Sequence, residues 1–382
     1  MTQGSGKEGR VINFDHLIFW VGNAKTTSSY FITRFGFKPL AIREPTEERP
    51  VVSYAVQLNQ IKIVFESPTS AENELSKDLS AHGDFVKDVA FEVHDLEQLV
   101  LRAREGGAEI LKDVTEEDDD DGAVKYAVVR TYGDNTHTLI DRSKYKGLFW
   151  PGFTSTEDDV TSELLPETNL KFIDHVEGNM ADGTLEDSVS WYEKNLNMQR
   201  FWCVDYVDYK NKLTPYSNIS TASVINQEET VLLSLNEAAK GLRPTSKATE
   251  FVKALGSSGV EHIALYTDDI VSTMRNLKAR GAEIVSFPPT YYSLIKQKLE
   301  TSPLHISESL AALQENSILI DFDERGYMLQ AFTKHLQARP TVFIELIQRK
   351  NHRGFGSMNY KWVFEAIELL DQAKNENGQQ QK

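Results

Sequence analysis

The alternation of apolar and polar residues predicts strands over much of the chain, and one pattern occurs twice. From Val86 the sequence runs VKDVAFEVHDLEQLVLRAREGGAEIL, and from Val260 it runs VEHIALYTDDIVSTMRNLKARGAEIV, aligned without a gap. Each copy reads as a short strand, an Asp N-cap (Asp95, Asp269), an amphipathic helix and a Gly stop (Gly107, Gly281). Leu96, Leu99, Val100 and Ala103 fall on one face of the first helix, and Ile270, Met274 and Leu277 on one face of the second.

A second pair precedes these. NFDHLIFWVGNAKTTSSYFITRFGFKPLA is similar to KFIDHVEGNMADGTLEDSVSWYEKNLNMQRFW. Both carry Asp-His near the start of an apolar strand, Asp15-His16 and Asp174-His175, then a helix with aromatics (Tyr30; Trp191, Tyr192). Each half closes with a strand, THTLIDRSKYKG and FIELIQRKNHRG, so that Arg142 matches Arg349 and Gly147 matches Gly354. Internal duplication organises the whole chain. Each half is expected to be built of strand-helix-strand-strand-strand modules, an α+β architecture with a helix crossing one face of each curved sheet. The expected units are residues 1–150, a linker at 151–170 rich in Pro, Ser, Thr and acids, and residues 171–382. The run TEEDDDDG before Ala123 reads as a solvated hairpin tip, since a calcium loop needs spaced acids and a distal Glu.

Composition narrows the function. The length of 382 residues suits two domains, and a net charge of −16 argues against nucleic acid, which requires a positive surface. The one cysteine, Cys203, excludes an intrachain disulfide, the start MTQGSGKEGR has no apolar signal core, and no stretch is long enough to span a membrane. A cytoplasmic small-molecule enzyme or acidic binding protein is expected.

The chemistry begins at Glu345, inside the apolar run Val342, Phe343, Ile344, Leu346 and Ile347. An ionised carboxylate there is costly unless paired or metal-bound. Arg349 shares its strand face but lies too far along for direct contact. Comparing the two halves supplies candidates. His175 matches His16, His262 matches Asp88, and Glu345 matches Thr138. The second half thus places His, His and Glu on three strands, the ligand set of a facial triad that leaves coordination positions open for Fe(II) oxygenase chemistry. A lone strand His is usually a satisfied core residue; the joint placement favours ligation. His16 is expected to lack partners in its own half. His82, His94 and His137 read as surface or turn residues, His335 and His352 as polar, and His305 as a loop residue.

FIDHVEGN, VEHIAL, PPTYYSLIKQKL, GYMLQAFTK, RPTVFIELIQR and NHRGFGSMN together resemble the 4-hydroxyphenylpyruvate dioxygenase family over nearly the whole chain. Hydroxymandelate synthases share most of these motifs. The resemblance implies two vicinal-oxygen-chelate (glyoxalase/bleomycin-resistance-like) domains with open, barrel-like sheets. It implies Fe(II) on His175, His262 and Glu345, chelation of an aryl 2-oxo acid, and reaction with O2 to give homogentisate and CO2. It places Phe332 and Phe355 beside the substrate ring, Gln330 and Asn359 in the polar lining with catalytic roles, and Asn236 near the phenol. A helix from Met358 through KWVFEAIELL covers the site, and a homodimer is expected. Phe343 joins the aromatic wall that excludes water.

Departures from the family pattern cluster in the pocket. Thr221 stands for a usual Ser, Ser234 for Pro, Lys247 and Glu261 for two Gln, Tyr360 for Phe and Met358 for Gly. Lys247 and Glu261 either pair with each other in place of two amides or read a different substrate group; a solvated Lys247 is the third possibility. The alternatives that remain are a hydroxymandelate-forming enzyme, a dioxygenase of another aryl 2-oxo acid, an extradiol dioxygenase and a non-catalytic binding protein.

Overall fold

The computed structural model describes residues 9–157, 159–201, 218–240 and 244–379; Cys203 lies outside them. Among the described residues the strands form two sheets. The first has nine strands, from β1 (Arg10–Trp20) to β9 (Thr154–Ser155), and the second has eight, from β10 (Ile173–Asn179) to β17 (Phe343–Lys350).

The duplication read from the sequence is visible in the pairing. At the centre of the first sheet β1 runs parallel to β4 (Ile61–Pro68) and antiparallel to β5 (Phe85–His94), and β5 runs parallel to β8 (Thr136–Tyr145). In the second sheet β10 is parallel to β13 (Leu232–Ala238) and antiparallel to β14 (Gly259–Tyr266), which is parallel to β17. Each half therefore joins two βαβββ modules edge to edge. The apolar helix faces do the packing: Leu96, Leu99 and Val100 on α3 (Leu96–Glu105), and Ile270, Met274 and Leu277 on α7 (Ile270–Ala279), are buried in the main core. Gly107 and Gly281 have φ of +85° and +78°, and the following Ala108 and Ala282 amides bond back to Ala103 and Leu277. That left-handed turn is why glycine ends both helices.

The expected linker is partly structured. Thr154 and Ser155 pair with β2 (Lys38–Arg43), and a short helix α4 (Val160–Leu164) follows. The acid run forms the tip between β6 (Ile110–Asp119) and β7 (Gly122–Arg130).

Two histidine expectations fail. His82 is buried at the end of α2 (Glu74–His82), with Nδ1 2.9 Å from Leu255 O and Nε2 2.9 Å from Asp134. His137 is buried on β8, bridging Val89 O and the Tyr192 hydroxyl at 2.8 Å each, and burial lowers its pKa to about 4. Both rings join the two halves, a role invisible to local pattern. His352 is also buried, its Nδ1 accepting from the Gly354 amide.

His16 is held in place by its own half, though the His/carboxylate group able to hold a metal among the described residues lies elsewhere. Its Nδ1 lies 2.6 Å from Asp15, which Arg142 grips with two bonds of 2.6 Å. Phe149 packs edge-on against the His16 ring at 5.2 Å. Asp88 and Thr138 occupy the remaining matched positions. Asp88 accepts from the Thr136 hydroxyl at 2.5 Å and the Thr138 amide at 3.2 Å, yet burial raises its pKa to about 6.

A group that ionises more readily unfolded than folded costs stability as pH rises between its two pKa values. Asp88 therefore contributes a loss between about pH 4 and pH 6 that persists above. D88N is expected to be more stable than the parent at pH 7 by about 3 kcal/mol, and no more stable at pH 4. Thermal melts across this range check it; a pH-independent difference would refute the assignment.

Candidate metal centre and active site

Alternation along β14 and β17 sorts the site from the core. Ile263, Leu265, Ile344 and Leu346 enter the main core with α7. His262 and Glu345, at alternate positions, point to the other face, where β10 contributes His175. All three are buried, at 1%, 5% and 1% exposure for His175, His262 and Glu345.

Their side chains converge. Glu345 Oε2 lies 3.0 Å from His262 Nε2 and 3.4 Å from His175 Nε2, and the two Nε2 atoms are 3.4 Å apart. Neighbouring ligands at right angles around one ion with bonds of about 2.1 Å are about 3 Å apart. Two imidazole nitrogens and a carboxylate oxygen in a triangle of that size fit a divalent transition metal with open positions. This answers what Glu345 meets: burial raises its pKa, but hydrogen bonds from both imidazoles outweigh burial and hold it at about 2. Both rings are in turn pushed up despite burial, His175 by Asp174 and Glu345 and His262 by Glu177 and Glu345. A metal ion would take the place of those protons.

A competing third ligand exists. Glu177, buried on β10, lies with His175 and His262 within 4.8 Å, ligand atom to ligand atom. It approaches His262 at Nδ1, 3.6 Å from Glu177 Oε1, on the far side of the ring from Glu345. Glu345 thus faces both Nε2 atoms, whereas Glu177 faces the Nδ1 side of His262. Glu261 Oε2 is 3.8 Å from the same Nδ1, too far for a hydrogen bond.

The supporting groups are as ordered as the ligands. His175 Nδ1 lies 2.8 Å from Asp174, whose carboxylate Arg349 grips with bonds of 2.8 and 2.7 Å. Adjacent strand residues normally face opposite ways, and a bulge permits this contact: β10 pairs Ile173 with Leu265 and His175 with Ala264, leaving Asp174 as the extra residue. The same irregularity sits at Asp15 in the first half. Arg349 also donates to Gly354 O at 2.7 Å, tying the closing turn to the imidazole. Arg349 thus passes Glu345 by and acts through Asp174, which lies well below the ordinary carboxylate range because the guanidinium and imidazole outweigh burial.

Glu345 has its own support. Gln330 Nε2 donates to Oε1 at 2.7 Å, Asn359 Nδ2 donates to Gln330 Oε1 at 2.8 Å, and the Tyr291 hydroxyl lies 2.8 Å from Asn359 Oδ1. The Ile320 amide donates to the Tyr291 oxygen at 3.0 Å, which orients the chain of bonds. One carboxylate oxygen is thereby occupied and Oε2 is left to face the histidines. Gly356 is required here: a Cβ would lie 2.0 Å from Gln330 Oε1, and φ is +79°. Tyr291 in PPTYY was not singled out from the sequence, because its partner Asn359 lies far along the chain.

Aromatic residues gather at the two histidines. Phe343 stacks on His262 at 4.9 Å and 24°, Phe355 meets His175 edge-on at 5.0 Å, and Phe332 lies 6.1 Å from Phe343. Asn236 accepts from Thr221 at 2.6 Å and donates to Glu177 at 2.5 Å. Two expected pocket residues stand elsewhere. Lys247 opens helix α6 (Lys247–Leu255) with its side chain 60% exposed and pairs with Glu250 at 3.2 Å, so the Lys247–Glu261 pair is absent. Tyr360 is 42% exposed beside buried Asn359, because successive helical residues face different ways. Both belong to long polar or amphipathic side chains whose direction the strand pattern does not constrain. The covering helix, α10 (Ser357–Gln379), packs Trp362 on Phe322 at 5.2 Å.

Comparison with known proteins agrees with this geometry. Residues 172–296 match the Glyoxalase/Bleomycin resistance protein/Dioxygenase superfamily. The chain is 45% identical to 4-hydroxyphenylpyruvate dioxygenase of Xenopus tropicalis, over 96% of this chain and 93% of that one. It is 43% identical to the same-named protein of Dictyostelium discoideum, over 94% and 98%. A mutant 4-hydroxymandelate synthase from Streptomyces coelicolor superposes with a TM-score of 0.77 at 26% identity, covering 95% of this chain and 99% of that one. The two-domain vicinal-oxygen-chelate fold is thus established.

E345Q and H262A are expected to lose stoichiometric metal, whereas E177Q retains it; metal analysis after dialysis distinguishes Glu345 from Glu177 as ligand. R349M is expected to weaken metal affinity by roughly 10–100-fold through the loss of Asp174 support, measured by chelator competition. An unchanged affinity would mean that the Arg349–Asp174 pair serves the fold alone.

Proposed function

The chain belongs to the 4-hydroxyphenylpyruvate dioxygenase family, and we propose on that premise that it converts 4-hydroxyphenylpyruvate and O2 to homogentisate and CO2. The observation that carries this reading is the compact triangle of His175 Nε2, His262 Nε2 and Glu345 Oε2. Fe(II) is the proposed metal, since a two-histidine, one-carboxylate set with open positions suits non-haem iron. When bound, it supplies a Lewis-acidic centre for chelating the 2-oxo acid and reacting with O2.

The chain's residues then have distinct tasks. His175, His262 and Glu345 hold the ion. Asp174, held by Arg349, fixes the imidazole of His175 with Nε2 toward the metal. Gln330, held by Asn359, keeps Glu345 Oε1 engaged. Phe332, Phe343 and Phe355 flank the ring and exclude water, which protects reactive states from side reactions. Asn236, supported by Thr221, reads the phenol end. Glu261, beside His262, lines the substrate pocket in this reading. Residues 171–382 form the catalytic unit, and residues 1–150 keep the fold without the ligands. A cytoplasmic homodimer in tyrosine catabolism completes the proposal.

A hydroxymandelate-forming reaction is the second reading, favoured by the superposition on the synthase. Both readings use one metal and one substrate and differ in which carbon is hydroxylated. Incubation with Fe(II) and 4-hydroxyphenylpyruvate under air, with the product identified by mass and chromatography, decides. Homogentisate is the expected product; 4-hydroxymandelate would move the chain to the synthase reaction. Oxygen uptake is expected to fall at least about 100-fold in H175A, on the scale of losing a centre that stabilises developing charge.

A further inference from the structure

The end of the site beyond the metal is more polar than a single phenol requires. Glu177, Ser234 and Ser223 form a row of direct cross-strand neighbours on β10, β13 and β12 (Ile219–Ile225), continued on the other side by His262. Asn179, Asn236 and Thr221 form the next row. Strand alternation turns both rows to the face that carries the metal ligands, opposite Leu233 and Leu235 in the core.

Asn236, Thr221 and one oxygen of Glu177 satisfy one another. The rest are left open. Ser223 Oγ, Ser234 Oγ and both amide atoms of Asn179 have no hydrogen-bond partner among the described residues, although all three side chains are 0% exposed. Leaving a buried polar group unpaired costs about 1–3 kcal/mol, so four such atoms beside one carboxylate point to a ligand that pairs with them. A lone phenol hydroxyl has one proton to donate. Two adjacent hydroxyls offer two protons and two acceptor oxygens, matched to a carboxylate followed along the row by two serine hydroxyls.

We propose that the site prefers aryl 2-oxo acids bearing adjacent ring hydroxyls, with 3,4-dihydroxyphenylpyruvate bound ahead of 4-hydroxyphenylpyruvate. Glu177, Ser223 and Ser234 are the specificity-determining residues. The inference rests on the reading above in one respect, that the metal holds the 2-oxo acid and so directs the ring toward these rows.

Calorimetry on the Fe(II)-loaded protein without oxygen tests it, using 3,4-dihydroxyphenylpyruvate, 4-hydroxyphenylpyruvate and phenylpyruvate. The dihydroxy acid is expected to bind at least about tenfold more tightly than the monohydroxy acid. In S223V/S234A that ratio is expected to fall to about one, with phenylpyruvate affinity unchanged as the sign of an intact site; E177L is expected to act likewise. Equal affinities in the parent, tighter binding of the monohydroxy acid, or a ratio untouched by both variants overturns the proposal. Preferential binding with no turnover on adding O2 leaves this inference standing and removes the proposed activity. Failure of every acid to bind removes both.

Discussion

The structure depends on one buried carboxylate. Glu345 lies in a strand whose neighbours are core residues, where an unpaired charge costs several kcal/mol, by an order-of-magnitude estimate. Three strands from separate parts of the second half converge so that two imidazoles meet its Oε2 and Gln330 meets its Oε1. The closing turn, the covering helix and the bulge at Asp174 all serve this arrangement. Gly356 lets the turn approach Gln330, Asn359 brings the first turn of α10 against the same amide, and Arg349 joins the turn to Asp174. The carboxylate is thus both the reason for a metal and the reference point around which the second half closes.

The first half shows what remains when that carboxylate is absent. Arg142, Asp15 and His16 repeat the geometry of Arg349, Asp174 and His175, including the bulge. Asp88 and Thr138 replace His262 and Glu345 and bond to each other instead of converging on a shared point. The supporting pair is therefore a property of the duplicated module, and the His-His-Glu triangle is present in the second half alone among the described residues. Phe149 fills the place beside His16 that Phe355 takes beside His175, so the aromatic cover also belongs to the shared module.

The halves are joined by groups with local sequence contexts that look unremarkable for core residues. His137 reaches Tyr192, His82 reaches Leu255, and Arg280 donates to the Ile32, Thr33 and Pro166 carbonyls. Each is a polar side chain satisfied by a partner from elsewhere in the chain. Buried polar groups of this kind specify how two sheets sit together, because a shift leaves them unpaired.

Periodicity in the sequence was enough to determine the modules: alternation marked the strands, the 3.6-residue repeat marked α3 and α7, and the two glycine stops marked their ends. Comparison of the halves nominated His262 and Glu345, whose counterparts are Asp88 and Thr138, beside His175, which is a histidine in both halves. Tertiary structure alone decided the rest. Alternation tells which face a residue takes, but the neighbours across strands depend on non-local register. Hence Glu177, Ser223 and the burial of His137 emerge only once the strands are paired, and Tyr291 only once its helix meets Asn359. Lys247 and Tyr360 leave the pocket for a related reason: both lie on helices, where direction follows the turn of the helix rather than the strand pattern that carried the rest of the site.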